Sequence, residues 1–254
     1  MASNYRDDPG YQATTATLPR VDWYHAKFMF RIFAAEALGV GIIIFILAVH
    51  SAGGELKSDL NGPITAAAAF AVAVWTVGPV SGPQITPILS LALLLTRRIN
   101  FVYFILGIMG QTFGAFMALL LGSRLVPGLS EKNNLLLQIP GPNVTDLQAF
   151  GLECVCSFIL IVCVLSTLDE FRKSHWSQGH VTSFSIIVFI LILPLAAVLI
   201  YVTAPICGSV IAVLLWEMVI SDGASVERIK HWWTDPNFDR HKDYNRLSCN
   251  ARGQ

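Results

Sequence analysis

Charge is scarce in this chain. Asp, Glu, Lys and Arg make up 13% of its residues, against 54% that are hydrophobic. A soluble domain carries about 25% charged residues, so a water-exposed globule is excluded and an integral membrane protein is indicated. The formal net charge is +0, which removes the basic excess that would point to nucleic acid. Cysteine is sparse: Cys154, Cys156, Cys163, Cys207 and Cys249, with no C-x-x-C pair. That spacing excludes the usual zinc sites, and the four cysteines in apolar stretches read as small buried residues. No histidine cluster or nucleophile motif lies in an apolar stretch. His50 sits near a membrane face, and His175 and His180 sit in a charged connector. The expectation is a protein with no metal, no cofactor and no catalytic residues, and not an enzyme. The first 30 residues are polar with no apolar core, so no cleavable signal peptide is expected.

Long apolar stretches are what the chain has in quantity. A membrane-spanning helix needs about 20 apolar residues. Residues 30–50, 63–80, 101–121 and 147–168 each suit one span, and residues 87–95 form a shorter apolar run that ends at Arg97-Arg98. Residues 184–220 are too long for one span and slightly short for two, with Pro194 and Pro205 as places to break them. Basic residues collect at Arg20, Lys27 and Arg31, at Arg97 and Arg98, at Arg172 and Lys173, and from Arg228 to Arg246. The intervening loops hold Lys57, Arg124 and Lys132. By the positive-inside rule both termini are cytoplasmic, which demands an even number of spans. Six fit if the last run is a tight hairpin. The alternative is a second loop at Thr203-Ala204-Pro205 with the sixth span lost, which leaves the basic tail outside. Asn143-Val144-Thr145, in a loop assigned outside, is a candidate N-glycosylation site, which would make the chain a glycoprotein. The organisation expected is a cytoplasmic N-terminal tail over 1–28, a membrane domain over 29–221 and a cytoplasmic C-terminal tail over 222–254. In that tail Trp232-Trp233 suits an interfacial anchor and Arg228 to Arg246 suit anionic lipid; a disordered tail is the favoured reading.

One stretch is unlike the rest. Residues 80–95 read Val-Ser-Gly-Pro-Gln-Ile-Thr-Pro-Ile-Leu-Ser-Leu-Ala-Leu-Leu-Leu. Thr86 supplies a capping hydroxyl, and Pro87 suits the first turn of a helix. A run this short dips into the membrane and turns back, provided its irregular backbone faces protein or water. Entering from the cytoplasm, such a half-helix points its free N–H groups and positive end at mid-membrane, where they bind a polar solute and repel a cation. The plainer alternative is a turn before a packed helix. Glu36 and Glu153 lie inside spans, where charge is costly and usually functional; the plainer alternative is a snorkelling or protonated glutamate near a helix end. Gly110 and Gly114 form a small-x-x-x-small pair suited to close helix packing.

These residues resemble the aquaporin, or major intrinsic protein, family. Residues 81–88 resemble its first pore loop, Ser-Gly-x-His-x-Asn-Pro-Ala. Ala35-Glu36-Ala37-Leu38-Gly39 is similar to the family's Ala-Glu-Phe-x-Gly, and Gln111-Thr112-Phe113-Gly114-Ala115 to its Gln-x-x-Gly-Ala. Leu152-Glu153 and residues 201–217 follow in the family's order. The resemblance covers about residues 28–220. It implies an all-α, six-span inverted-repeat bundle with one re-entrant half-helix, in which Ser81, Gly82, Gln84, Thr86, Pro87 and Ile88 form the pore motif. It implies that Glu36, Gln111 and Glu153 brace the bundle.

The chain departs from the family in definite ways. Thr86 stands where the family has asparagine, Ile88 where it has alanine and Gln84 where it has histidine. A threonine hydroxyl offers one donor where the asparagine amide offers two. Ala66 and the neighbourhood of Leu193-Pro194 fall near the family's outer filter. No second Asn-Pro-Ala loop with its arginine follows Asp169, so the second half-helix is missing. The resemblance therefore implies a passive channel for water or small neutral solutes. It implies a plasma-membrane homotetramer, or a hetero-oligomer with other family chains, surrounded by lipid. The competing expectation is a non-conducting relative with a structural or partner-modulating role.

Overall fold

Lipid offers no hydrogen bonds to a backbone, so a chain this apolar satisfies its own amides in helices. The computed structural model describes residues 23–52, 61–82, 84–127, 129, 144–168, 198–221 and 224–235. Among them the ordered elements are helices without strands: α1 (Trp23–Ala52), α2 (Asn61–Ser81), α3 (Pro87–Leu95), α4 (Phe101–Leu125), α5 (Asp146–Thr167), α6 (Val198–Leu215) and α7 (Val226–Thr234). Five of these are long and apolar enough to cross a membrane: α1, α2, α4, α5 and the segment Thr203–Ile220. Their outer faces carry large exposed apolar side chains, among them Phe30, Trp75, Phe101 and Phe116, as a lipid-facing surface requires. The fifth span expected in the run from residue 184, with Pro194, lies outside the described residues. So does Asn143, although Thr145 of the same sequon caps α5 in a reciprocal box with Gln148.

Close packing of small residues pairs the helices. A Cβ on Gly110 would lie 2.6 Å from the Phe33 carbonyl, and one on Gly114 would overlap the Ala37 carbonyl. Helices α1 and α4 therefore touch backbone to backbone, the approach that small residues permit. A Cβ on Gly208 would overlap the Cys154 carbonyl in the same way, which joins α5 to α6. Inside the bundle, Leu89 and Ala92 of α3 pack with Leu160, Ile161 and Val164 of α5 and Val213 of α6. A second cluster joins Ala35 to Phe70, Ala73, Val77 and Ile85.

Two expectations about the C-terminal third need correction. Helix α6 runs through Pro205, with Ala204 fully buried, so Thr203-Ala204-Pro205 is neither a break nor a second loop. Neighbouring helices make proline tolerable in such a helix. A π-helical turn, Trp216–Ile220, extends α6. The tail is not disordered over residues 224–235. Ser225 caps α7 by accepting the Arg228 amide at 3.1 Å, and Arg228 pairs with Glu217 and Ser221. Charge that looks solvated in the sequence is spent on a buried partner. Trp232 is buried against Leu95 and Ile229 while Trp233 is exposed, so the two tryptophans do not form one interfacial anchor.

Candidate functional site

Helix α3 and the loop before it form the site. Nine residues at about 1.5 Å per residue make about 13 Å of helix, well short of a bilayer's hydrocarbon core. Thr86 opens it in extended conformation, and its Oγ1 accepts the Leu89 amide at 3.3 Å. Pro87 has no amide proton to satisfy. The Ser90 amide donates to the Thr86 carbonyl at 2.9 Å, and the Ser90 hydroxyl donates to the same carbonyl at 3.1 Å. Among the described residues no acceptor meets the Ile88 amide or the Thr86 hydroxyl proton. These two donors are half-buried at the positive end of the helix.

Glu36 holds the loop. Its side chain is fully buried on α1. Ser81 Oγ donates to Oε1 at 2.6 Å, and the Ile85 amide donates to Oε2 at 2.8 Å. Gln111 Nε2 donates to Oε2 at 2.9 Å and to Ser90 Oγ at 3.0 Å. One carboxylate thus joins α1, the end of α2, the loop and α4, and Gln111 extends the network into α3. The loop backbone is unusual at two places. Gly82 has φ 75°, which glycine adopts freely. Ile85 has φ 54°, a costly conformation for a β-branched residue. The Glu36 bond and a buried side chain hold Ile85 in it.

Gln84, which stands at the histidine position of the pore motif, is fully buried. It does not line an open path. Its amide packs on Gly107 of α4, where a Cβ would overlap Oε1, and Nε2 donates to the Ser81 carbonyl at 3.4 Å. Pro87 is exposed. Ile88 is half-buried and packs on the cluster between α5 and α6, while its carbonyl accepts Ser209 Oγ at 3.3 Å. Ser209 is fully buried; the sequence held no signal for it beyond a polar residue in an apolar run. Glu153 is buried on α5. It precedes Cys154, whose carbonyl meets Gly208, as Glu36 precedes Ala37, whose carbonyl meets Gly114. Among the described residues no donor reaches its carboxylate. Ala66 is half-buried on α2; Leu193, Pro194 and Arg172 lie outside the described residues. Among the described residues no group of His, Cys, Asp and Glu side chains suits a metal ion.

The far end of α3 is equally tied. The Arg97 amide donates to the Leu94 carbonyl at 3.0 Å and the Arg98 amide to the Leu93 carbonyl at 2.8 Å, a Schellman ending that needs a left-handed residue. Arg97 takes that role with φ 54°. Its Nη2 donates to the Trp232 carbonyl at 2.9 Å, and Arg98 Nη1 donates to the Leu168 carbonyl at 2.7 Å.

The family model described as major intrinsic protein matches residues 22–198. Among curated proteins, aquaporin-1 of Bos taurus is 27% identical over 167 residues, 61% of each chain. Aquaporin-5 of Mus musculus is 31% identical over 151 residues, 57% of this chain and 55% of that protein. The chain thus spans less than two thirds of the length of the curated relatives it matches. Among solved structures, the aquaglyceroporin from Plasmodium falciparum superposes with a TM-score of 0.54 at 16% identity, over 82% of this chain and 90% of that one. At that identity the likeness speaks for the fold.

Proposed function

This chain belongs to the major intrinsic protein family, and from that premise we propose that it is a membrane channel that passes water or small neutral solutes passively. The observation that carries the reading is the seating of α3. A short capped helix ends inside the bundle with the Thr86 hydroxyl and the Ile88 amide unused among the described residues. Such donors replace part of a solute's hydration as it passes, and the positive helix end disfavours a cation. The solute crosses without covalent chemistry, so no proton, metal or cofactor is consumed. Glu36 and Gln111 act at one remove, by holding the loop that places Thr86. Gln84 fixes the loop against Gly107 and takes no direct part in permeation. The named relatives are aquaporins, which supports water as a solute. The charge distribution supports cytoplasmic termini, and kinship supports assembly as a tetramer in the plasma membrane with one pore per subunit.

Osmotic swelling of proteoliposomes tests this. Vesicles with the purified chain should swell faster than empty ones, and Thr86→Trp should abolish the difference by filling the path beside α3. Swelling equal to empty vesicles, from a folded and reconstituted protein, would refute water conduction and leave a non-conducting member of the family.

A further inference from the structure

The cytoplasmic end of α3 is held by a helix that no membrane span requires. Helix α7 is short and polar, yet one of its faces is buried: Arg228 is 1% exposed and Trp232 6%. Arg228 reaches back to Glu217 in the π-helical turn and to Ser221. Trp232 covers Leu95, the last residue of α3. The Trp232 carbonyl receives the Arg97 guanidinium at 2.9 Å. These contacts join α7 to two different parts of the bundle, the end of α6 and the end of α3.

The backbone at the junction sharpens the point. A Schellman ending is ordinarily closed by glycine, because the left-handed conformation burdens a side chain. Here Arg97 adopts it. Its side chain spans from α3 to α7, which glycine lacks the atoms to do. A sparsely populated backbone state kept at one junction, beside a π-helical turn that carries the buried Glu217, marks a place under functional constraint.

We propose that α7 is a cytoplasmic strap that sets the seat of α3, so that release of the strap loosens the half-helix and moves its far end. Helix α3 is a single rigid rod of about 13 Å. Its base is fixed by Arg97 to α7 and by Arg98 to the end of α5, and its tip by the Glu36 network. Freeing one of the two basal ties leaves the rod held at its base by the other alone, and a shift of that base is carried along it to Thr86 against the Glu36 network. Control of permeation by this shift rests on the channel reading; control of the seat does not.

The test is hydrogen exchange on the full-length protein in lipid nanodiscs, paired with swelling assays. Trp232→Ala removes the side chain that covers Leu95, and Trp233→Ala is its exposed neighbour and control. With Trp232→Ala the α7 amides should lose protection, and the amides of 93–99 should exchange at least about tenfold faster, a local opening. The amides of 155–164 in α5 should be unchanged, and Trp233→Ala should alter none of these. Arg97→Gly keeps the turn and relieves its left-handed strain while removing the bond to the Trp232 carbonyl; it should therefore loosen 93–99 in the same direction by a smaller factor. Release of α7 with unchanged exchange at 93–99 overturns the proposal. So does an α7 that stays protected in both Trp232→Ala and Arg97→Gly, because these contacts then do not hold it. Loosened α3 amides with no swelling in parent or variants would uphold the strap and refute the channel.

Discussion

Glu36 offers the sharpest test of how the loop is held. In Glu36→Ala the Ile85 amide loses its acceptor, and a buried amide left alone costs about 1–3 kcal/mol. Of the other two donors only Ser81 has a fallback: its Oγ lies 3.0 Å from the Gly82 carbonyl, whereas Gln111 Nε2 already donates its second proton to Ser90 Oγ at 3.0 Å and keeps one proton unpaired. Ser81 exchanges a charge-assisted bond for a neutral one, about 1 kcal/mol, and the unpaired Gln111 proton costs about 1–3 kcal/mol more. The sum is about 3–7 kcal/mol. Glu36→Gln behaves differently. Its oxygen still accepts from Ile85 and Gln111, and its amide donates to Ser81 Oγ while that hydroxyl turns to the Gly82 carbonyl. The loop donors all stay paired and one proton of the new amide is left over, so the cost falls to about 1–2 kcal/mol. Apparent melting temperature in detergent checks this, at about 2–4 °C per kcal/mol for a chain of this size. Alanine should lower it by roughly 6–28 °C and glutamine by roughly 2–8 °C. Exchange at the Ile85 amide should accelerate in the alanine variant alone. A glutamine variant that melts as low as the alanine variant would refute the hydrogen-bond account, because volume and pairing would not then be what matters.

Further outcomes follow from the packing and from the cap of α3. Gly114→Ala and Gly208→Ala, which place a methyl group into a facing carbonyl, should each cost about 2 kcal/mol or more by forcing helices apart. Gly151→Ala, with nothing within 4 Å, should stay within about 0.5 kcal/mol of the parent; thermal melts compare the three. Thr86→Asn should fold as well as the parent, since asparagine caps a helix at least as well as threonine, and should raise swelling by adding a donor at the tip. Thr86→Ala should cost about 1 kcal/mol through the lost cap. Gly107→Ala should displace Gln84 and loosen the loop, seen as faster exchange at Gln84, Ile85 and Thr86 with little change in α5.

Sequence reasoning worked where one physical rule acts alone. The ends of α3 follow from Thr86-Pro87 and from the switch to Arg97-Arg98, since capping and apolar length are local properties. Helices α1, α4 and α5 also lie where their apolar stretches lie, with added turns at α1 and α4 in which flanking residues continue the helix. Reasoning failed where a residue's meaning depends on a distant partner. Arg228 reads as a solvated charge until Glu217 is found beside it. Gln84 stands in the pore motif by sequence, and its burial against Gly107 depends on a helix too distant to be read from the motif. The left-handed Ile85 carries no signal of its own, because Glu36, far off in sequence, imposes its conformation. The Ser225-x-x-Arg228 start of α7 did hold a usable cue: a capping serine ahead of an Ile-x-x-Trp spacing.

The dual attachment of α3 has a consequence for how the chain is made. Its tip belongs to Glu36 and Gln111, but its flank packs on Leu160, Ile161, Val164 and Val213, which are synthesised long after it. At about 5–20 residues per second, the ribosome needs on the order of ten seconds to travel from the end of α3 to Val213. During that interval the half-helix lies against α4, through Gln111 and Ser90, while its other flank, on an apolar rod too short to cross the bilayer, stays uncovered. The part of the first half made third is therefore the part that settles last, and nascent chains halted before residue 213 should be the ones quality control removes.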